Sequence, residues 1–366
     1  MKIAITGGHL SPAIAVIDEI SKKDSILFIG RKFINDREKS FSLEFQEISK
    51  RNIPFYHLQA GRLTRFLSVR SLINILKIPL GFFQAFNVLL KEKPDAIMSF
   101  GGYIGLPVCC VGFLLRIPIY IHEQTIHPGL SNRIIGHFAR KIFITFEETK
   151  KYFSADKVIM TGNPVRKNVF KIAKKPLSLP HDKLILYIMG GSVGSHSINI
   201  LIEKIIGKLL EKYIVIHQTG NVKEYSDFAR LMVLREKLDD RKKNNYYLRE
   251  HFMEDEIGYI YSRSDLVISR AGANSFFELL AWLKPTLFIP LPWSASDEQR
   301  KHAQFFKEKG VGEIFDQSED SEKLLLLINK MLDNLNFYKS NFKNLEQFHK
   351  QNAASFIVKT ITENSS

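Results

Sequence analysis

Three places in this sequence combine residue types that can do chemistry. Thr6-Gly7-Gly8-His9 closes the short apolar run Lys2-Ile3-Ala4-Ile5 and sets an imidazole beside two glycines. A neutral imidazole with an ordinary pKa of about 6.5 can remove a proton from a sugar hydroxyl. Gly190-Gly191-Ser192-Val193-Gly194 follows the apolar run 184–189, and glycines there let backbone N–H groups approach an anion closely. Ser269-Arg270-Ala271-Gly272-Ala273-Asn274-Ser275-Phe276-Phe277-Glu278 follows the apolar run Leu266–Ile268 and reads as a phosphate-facing loop and helix start. Glu278, in the first turns of that helix, can accept two hydrogen bonds from the cis-diol of a ribose, or can simply complement the helix dipole.

The elements that must position these residues repeat. A strand, a glycine loop and a helix with apolar positions Ala13, Val16, Ile17 and Ile20 open the chain; the same succession returns 183 residues later, its helix marked by Ile198, Leu201, Ile202 and Ile205. Further apolar runs at Ile26–Ile29, Ala96–Phe100, Ile117–Ile121, Lys141–Phe146, Tyr213–His217 and Thr286–Ile289 alternate with helical sequence. Strands alternating with helices imply parallel sheets covered on both faces. The expectation is therefore an α/β chain of two Rossmann-like domains facing across a cleft that holds a nucleotide at the carboxyl ends of the strands. The expected boundaries are 1–163, a lysine-rich linker 164–181, a second domain 182–340, and a C-terminal helix in 341–366 packing back on the first domain.

Other chemistries fit less well. The first loop is not G-x-G-x-x-G, and Gly30-Arg31 after the second strand offers no acid for a ribose 2′-hydroxyl, which disfavours a nicotinamide dehydrogenase. Gly190–Gly194 does match the G-x-S-x-G nucleophile elbow, with Asp265 or Asp297 and then His302 in hydrolase order. That reading leaves the first glycine loop without a purpose. The two cysteines, Cys109 and Cys110, are adjacent, so a disulfide framework is not expected and a reducing cytoplasm is the default. Leu72–Leu90 is interrupted by Asn74, Lys77, Pro79, Gln84 and Asn87 and is not expected to span a membrane. The net charge is +14, and the excess lies entirely in the first half: residues 1–180 hold 27 basic and 13 acidic side chains, residues 181–366 hold 25 of each. Such asymmetry points to a polyanionic partner: nucleic acid, an anionic membrane surface or a phosphorylated substrate.

Taken together, these segments resemble the MurG family, the bacterial transferases that add N-acetylglucosamine to lipid I. The resemblance runs through Thr6-Gly7-Gly8-His9, Phe100-Gly101-Gly102-Tyr103, His122-Glu123-Gln124 with Pro128-Gly129-Leu130-Ser131-Asn132, Thr161-Gly162-Asn163-Pro164-Val165-Arg166, Gly190-Gly191-Ser192 with Asn199, Arg270-Ala271-Gly272-Ala273 with Glu278, and Asp297-Glu298-Gln299 with Ala303. It implies a glycosyltransferase-B fold and inverting transfer from UDP-N-acetylglucosamine, with neither a cofactor nor an essential metal. The implied partners are the lipid I acceptor and an anionic cytoplasmic membrane surface, not nucleic acid; the implied location is peripheral, on the cytoplasmic face of the plasma membrane.

Carried over residue by residue, the resemblance makes His9 the base. It places Thr6, Gly7, Gly8, Thr125, Arg166, Ser192, Met253, Gln299 and Ala273 through Glu278 (Asn274, Ser275, Phe276 and Phe277 included) around the UDP-sugar, and Tyr103 and Asn132 on the acceptor side. The chain departs from the family pattern in its shortened first loop and at Thr125, Val193, Asn274, Ser275, Glu298 and His302. The alternatives that stay open are a related transferase with another lipid acceptor, a UDP-sugar epimerase, and a non-catalytic membrane-surface protein. For the membrane contact, Gly61–Lys93 combines Arg62, Arg65, Arg70, Lys77, Lys91 and Lys93 with an apolar set that includes Phe82, Phe83 and Phe86, and a helix break is expected at Pro79–Gly81.

Overall fold

A computed structural model describes residues 1–33, 41–59, 69–191, 194–222, 224–294, 297–348 and 352–363, with only the backbone described at 69–77 and 346–348. The chain forms two compact units, Met1–Arg166 with Lys350–Ser366, and Lys167–His349.

In unit 1, seven parallel strands are β1 (Lys2–Gly7), β2 (Ser25–Gly30), β3 (Phe55–His57), β4 (Ala96–Phe100), β5 (Ile119–Glu123), β6 (Lys141–Ile144) and β7 (Val158–Met160), in spatial order β3-β2-β1-β4-β5-β6-β7. The helices between them are α1 (Leu10–Ile17), α2 (Leu43–Lys50), α3 (Val69–Glu92), α4 (Gly102–Leu114) and α5 (Leu130–Gly136). Side chains alternate across the sheet. Ile3, Ile5, Met98, Phe100 and Tyr120 enter one core layer, while Ala4, Ile97, Ile119 and Ile121 enter the other. That is why these strands read as unbroken apolar runs: both faces are covered. The short strands β3 and β7 are only half-buried.

Unit 2 repeats the plan with β8 (Ile185–Met189), β9 (Ile214–Gln218), β10 (Tyr246–Arg249), β11 (Leu266–Ser269), β12 (Thr286–Phe288) and β13 (Gly312–Ile314), in order β10-β9-β8-β11-β12-β13. Its helices are α6 (His196–Lys212), α7 (Asp227–Glu236), α8 (Asp240–Asn244), α9 (Ile257–Arg263), α10 (Ala273–Ala281), α11 (Glu298–Glu308), α12 (Ser321–Asp333) and α13 (Leu335–Asn341). In both sheets the strand order reverses direction beside the first strand, between β1 and β4 and between β8 and β11. Loops leave the sheet there on opposite sides and open a crevice at the carboxyl edge.

Within the expected linker 164–181, residues from Lys167 onward strap onto unit 2: Trp282 Nε1 donates to Val169 O at 3.0 Å, and Tyr247 and Tyr259 hydroxyls donate to Ser178 O and Leu177 O, each at 3.0 Å. The expected break at Pro79–Gly81 is absent; α3 is one 24-residue helix through Pro79. A proline removes a single backbone hydrogen bond, and the buried anchors Ala85 and Leu89 hold the C-terminal half in place. The last helix, α14 (Ala353–Glu363), joins unit 1, where Ala354, Ile357 and Ile361 pack with Ile14 and Ile17 of α1. Burying each isoleucine contributes roughly 1.5–3 kcal/mol, which ties this end of the chain to the first unit.

Candidate active site

Each unit gathers its chemistry at the carboxyl edge of its sheet. In unit 1, β1 delivers Gly7, Gly8 and His9, and β4 delivers Gly101 and Gly102. The two glycine pairs touch: a Cβ on Gly8 would lie 2.8 Å from the Gly102 Cα, and Gly101 and Gly102 hold φ of +76° and +78°. Only glycine permits both that approach and that backbone. The result brings the N-termini of α1 and α4 together, with His9 at the N-cap of α1 and Gly101 at that of α4. First-turn amides without intrahelical acceptors make this a place for an anion.

His9 is half-buried, and its surroundings push the imidazole down to about 4, so it is neutral at physiological pH. Its Nδ1 lies 2.7 Å from Nε2 of Gln124, the residue after β5. Next door, Glu123 is buried and its carboxyl is pushed up by desolvation; it accepts from Thr125 N at 2.9 Å, Thr125 Oγ1 at 2.7 Å and Asn132 Nδ2 at 2.9 Å. His122 is fully buried, held near 3, and touches Gly162 O at 3.3 Å.

Several expected contacts move once seen in place. Thr6 is wholly buried, its methyl against α4 near Gly105; Gly7 is buried as well, and the chain becomes exposed at Gly8. Asn132 is also buried; it braces the Gly101 loop from beneath by donating to His122 O and Glu123 Oε2. Its Oδ1 has no partner among the described residues. The Thr125 hydroxyl is engaged by Glu123 and by His127 O at 2.9 Å. Tyr103 and Arg166 are half-buried, Tyr103 in the first turn of α4 and Arg166 as the last residue before unit 2.

In unit 2 the glycine loop after β8 folds back on itself. A Cβ on Gly190 would lie 2.2 Å from Ser195 N, and one on Gly194, at φ +93°, would lie 2.3 Å from Thr219 O. Ser192 itself lies outside the described residues. Asn199 and His217 hold the floor of this loop: Asn199 Nδ2 donates to Thr219 O at 3.0 Å and Asp227 Oδ2 at 2.8 Å, and its Oδ1 meets His217 Nε2 at 3.0 Å.

Arg270, after β11, is the residue whose importance spacing alone did not disclose. It is buried, and its hydrogen-bond partners are all neutral: Ser195 Oγ, Ser197 Oγ at 2.6 Å, Gln317 Oε1 at 2.8 Å and Ile289 O at 2.7 Å. Burial lowers its guanidinium to about 10, still charged at neutral pH. A fixed cation beside the N-termini of α6 and α10 suits a diphosphate.

Glu278 sits in the second turn of α10, its Oε2 accepting from Tyr261 OH at 3.0 Å. Ala273, Asn274 and Ser275 form the open first turn. The side chains of Phe276 and Phe277, two residues expected near the nucleotide, lie in the core: Phe276 is wholly buried and stacks on His302 at 4.3 Å, with Phe277, Phe305 and Phe306 around it. Helical rotation turns these two positions inward while Glu278 faces the edge. Met253, in the loop after β10, is 66% exposed and so presents an apolar side chain at the same edge. Gln299, near the start of α11, accepts from Leu291 N at 3.1 Å.

Asp265 and His302 are not placed to act together as the acid and base of a hydrolase. Asp265 precedes β11 and pairs across to Ile185 N at the opposite end of the sheet from Gly190. His302 Nδ1 is bound to Ala271 O at 2.9 Å, inside the aromatic core. Among the described residues no group of three or more His, Cys, Asp or Glu could hold a metal ion.

Comparison with known proteins agrees with this geometry. Residues 6–144 match the glycosyltransferase family 28 N-terminal domain and residues 185–357 match its C-terminal domain. A curated relative from Clostridium tetani, named UDP-N-acetylglucosamine–N-acetylmuramyl-(pentapeptide) pyrophosphoryl-undecaprenol N-acetylglucosamine transferase, is 33% identical over 94% of this chain and 93% of its own length. A protein of the same name from Clostridium perfringens is 34% identical over 89% and 88%. The crystal structure of MurG from Acinetobacter baumannii superposes with a TM-score of 0.72 at 23% identity, covering 99% of both chains. That of UDP-GlcNAc 2-epimerase from Neisseria meningitidis gives 0.63 at 16%, covering 99% and 100%. These structures share the glycosyltransferase-B fold with this chain.

Proposed function

This chain belongs to glycosyltransferase family 28, and from that premise we propose that it moves N-acetylglucosamine from UDP-N-acetylglucosamine to the muramyl sugar of undecaprenyl-linked lipid I, forming lipid II. The observation that carries this reading is the similarity to the two clostridial transferases along nearly the full length of both chains. The epimerase likeness is one of fold.

In this reading unit 2 holds the donor. The ribose diol meets Glu278, the uracil meets Met253, and the diphosphate lies against the first amides of α6 and α10 with Arg270 behind them. Ser192, Asn274, Ser275 and Arg166 complete its surroundings, and Gln299 meets the sugar hydroxyls. Unit 1 takes the acceptor, its pyrophosphate toward the Gly7–Gly8 and Gly101–Gly102 amides and Tyr103. An acceptor hydroxyl attacks the anomeric carbon from the face opposite UDP, so the new bond is inverted. His9 takes the hydroxyl proton, the bond from the anomeric carbon to the phosphate oxygen breaks, and UDP leaves with its charge met by preorganised N–H groups.

The acceptor's lipid requires a surface. On α3, Phe82, Ala85 and Leu89 face the core, while Leu80, Phe83, Phe86 and Leu90 form a second, exposed stripe. Phe113 and Leu114 end α4 exposed, and α5 adds Leu130 and Ile134. Lys91 on α3 and Arg133 on α5 are exposed, as are Arg116 just after α4 and Arg140 just before β6. No described helix is long and apolar enough to cross a membrane. The reading places the protein peripherally on the cytoplasmic face of the plasma membrane, the apolar stripe inserted and the cations against anionic headgroups, each contributing about 1 kcal/mol. Arg62 and Arg65, also expected at this surface, lie outside the described residues, as do the side chains of Arg70 and Lys77. Changing Phe83, Phe113 and Leu114 together to serine should release the protein from anionic liposomes while activity on a soluble acceptor analogue persists. Unchanged sedimentation with liposomes would remove the stripe from the account.

A further inference from the structure

We propose that Gln124 is a positioning residue that selects the tautomer of His9, and that a turn of its side-chain amide converts the imidazole from a proton donor into the base. The proposal rests on the reading of His9 as the base. Gln124 follows β5 and is buried, and its amide reaches the N-cap of α1 across 115 residues of sequence to make the 2.7 Å contact between Nε2 and His9 Nδ1. An amide nitrogen carries only protons, so Nδ1 must accept. The one proton of the neutral ring then lies on Nε2, and an Nε2–H cannot take a proton from a hydroxyl. This is the resting state.

Turning the amide by half a revolution presents Oε1 to the ring at the same place. Nδ1 then carries the proton and donates, and the Nε2 lone pair is free. An acceptor hydroxyl arriving at Nε2 as a donor favours this second tautomer, so the substrate arms the base that deprotonates it. The proton moves from the hydroxyl oxygen to Nε2 as the oxygen bonds to the anomeric carbon and UDP departs with the electron pair of the broken bond. The ring becomes an imidazolium with Nδ1–H on Gln124 Oε1.

The neighbouring carboxylate does not do this work. Glu123 is committed to Thr125 and Asn132. The ionisable groups of β5 are Tyr120, His122 and Glu123 and those of α4 are Tyr103, Cys109 and Cys110; His122, which interacts electrostatically with His9, is neutral. Burial holds the His9 imidazole low, and the Oε1 of a neutral amide offsets that less than a carboxylate would.

The test compares Gln124→Leu, Gln124→Glu and His9→Ala in the full-length protein, with UDP-N-acetylglucosamine and a soluble lipid I analogue. UDP affinity, a property of unit 2, serves as the control for folding. Gln124→Leu should lower kcat by roughly 10–100-fold, part of the full contribution of a general base, with the KM for donor unchanged. Nitrogen-resolved NMR of labelled imidazole should show His9 no longer held in one tautomer. Gln124→Glu should lock Nδ1–H, recover turnover over the leucine variant at alkaline pH, and move the acidic limb of the rate profile up by roughly 1–3 pH units. Wild-type kcat in Gln124→Leu with an unmoved limb in Gln124→Glu, while His9→Ala is inactive, would overturn this proposal alone. Normal turnover in His9→Ala would overturn the base and the proposal with it.

Discussion

Glu278→Gln isolates the donor half of the account. The carboxylate stands in the second turn of α10, oriented by the hydroxyl of the buried Tyr261, which donates to Oε2 at 3.0 Å. The substitution preserves shape and removes charge, and the amide nitrogen can no longer accept. A hydrogen bond to a charged group contributes about 1.5–3 kcal/mol, so UDP should bind roughly 10–150-fold more weakly. Tyr261→Phe should act in the same direction but less, because it only loosens the carboxylate's orientation. The double variant should lose less than the sum, since the two residues touch. If Glu278 merely complements the helix dipole, the change costs at most about 0.3–1 kcal/mol of stability and leaves UDP affinity alone. Titration calorimetry with UDP, alongside thermal melts, separates the cases. Equal affinity in Glu278→Gln and wild type would refute the ribose contact.

Three further outcomes are expected. His9→Ala should lower kcat by roughly 10²–10⁴-fold with little change in UDP affinity, and the wild-type rate should hold as pH falls below 6 because His9 protonates only near pH 4; a limb at 6.5 or above in kcat/KM would contradict its burial. Gly194→Ala should abolish donor binding by reshaping the loop, since the backbone is at φ +93° and the new Cβ meets Thr219 O at 2.3 Å; an unchanged UDP affinity would show that the loop does not hold the donor. His122, His217 and His302 are buried neutral, held at about 3, 3 and 4. Their folded values lie below the unfolded one, so the stability they contribute is complete above about pH 6.5 and is lost as pH falls toward the folded values. Melting temperature should therefore drop between pH 7 and 4, and a flat profile would mean these side chains are not buried as described.

How much of this was legible in the sequence depended on whether the signal was local. Strands buried on both faces announce themselves, as Ile3–Ile5, Ala96–Phe100 and Ile185–Met189 do. The strands β3, β7, β10 and β13 are three or four residues long and only partly buried, so even the apolar Val158–Met160 is too short to stand out. Glycine pairs pointed to the loops, and the structure supplies the reason in the contact of Gly8 with Gly102. What spacing could not reveal was pairing across the fold: Gln124 with His9, and Arg270 with Ser195, Ser197 and Gln317. Nor could it tell which face of α10 turns inward and carries the side chains of Phe276 and Phe277 into the core.

Group transfer to a lipid-linked muramyl sugar is tested by measuring UDP release from UDP-N-acetylglucosamine by the purified chain, with and without lipid I, together with identification of the product. Release should be rapid only when lipid I is present, and the product should be heavier than the acceptor by one N-acetylglucosamine. Release at the same rate without acceptor, or conversion of the sugar nucleotide without any change in lipid I, would contradict such transfer.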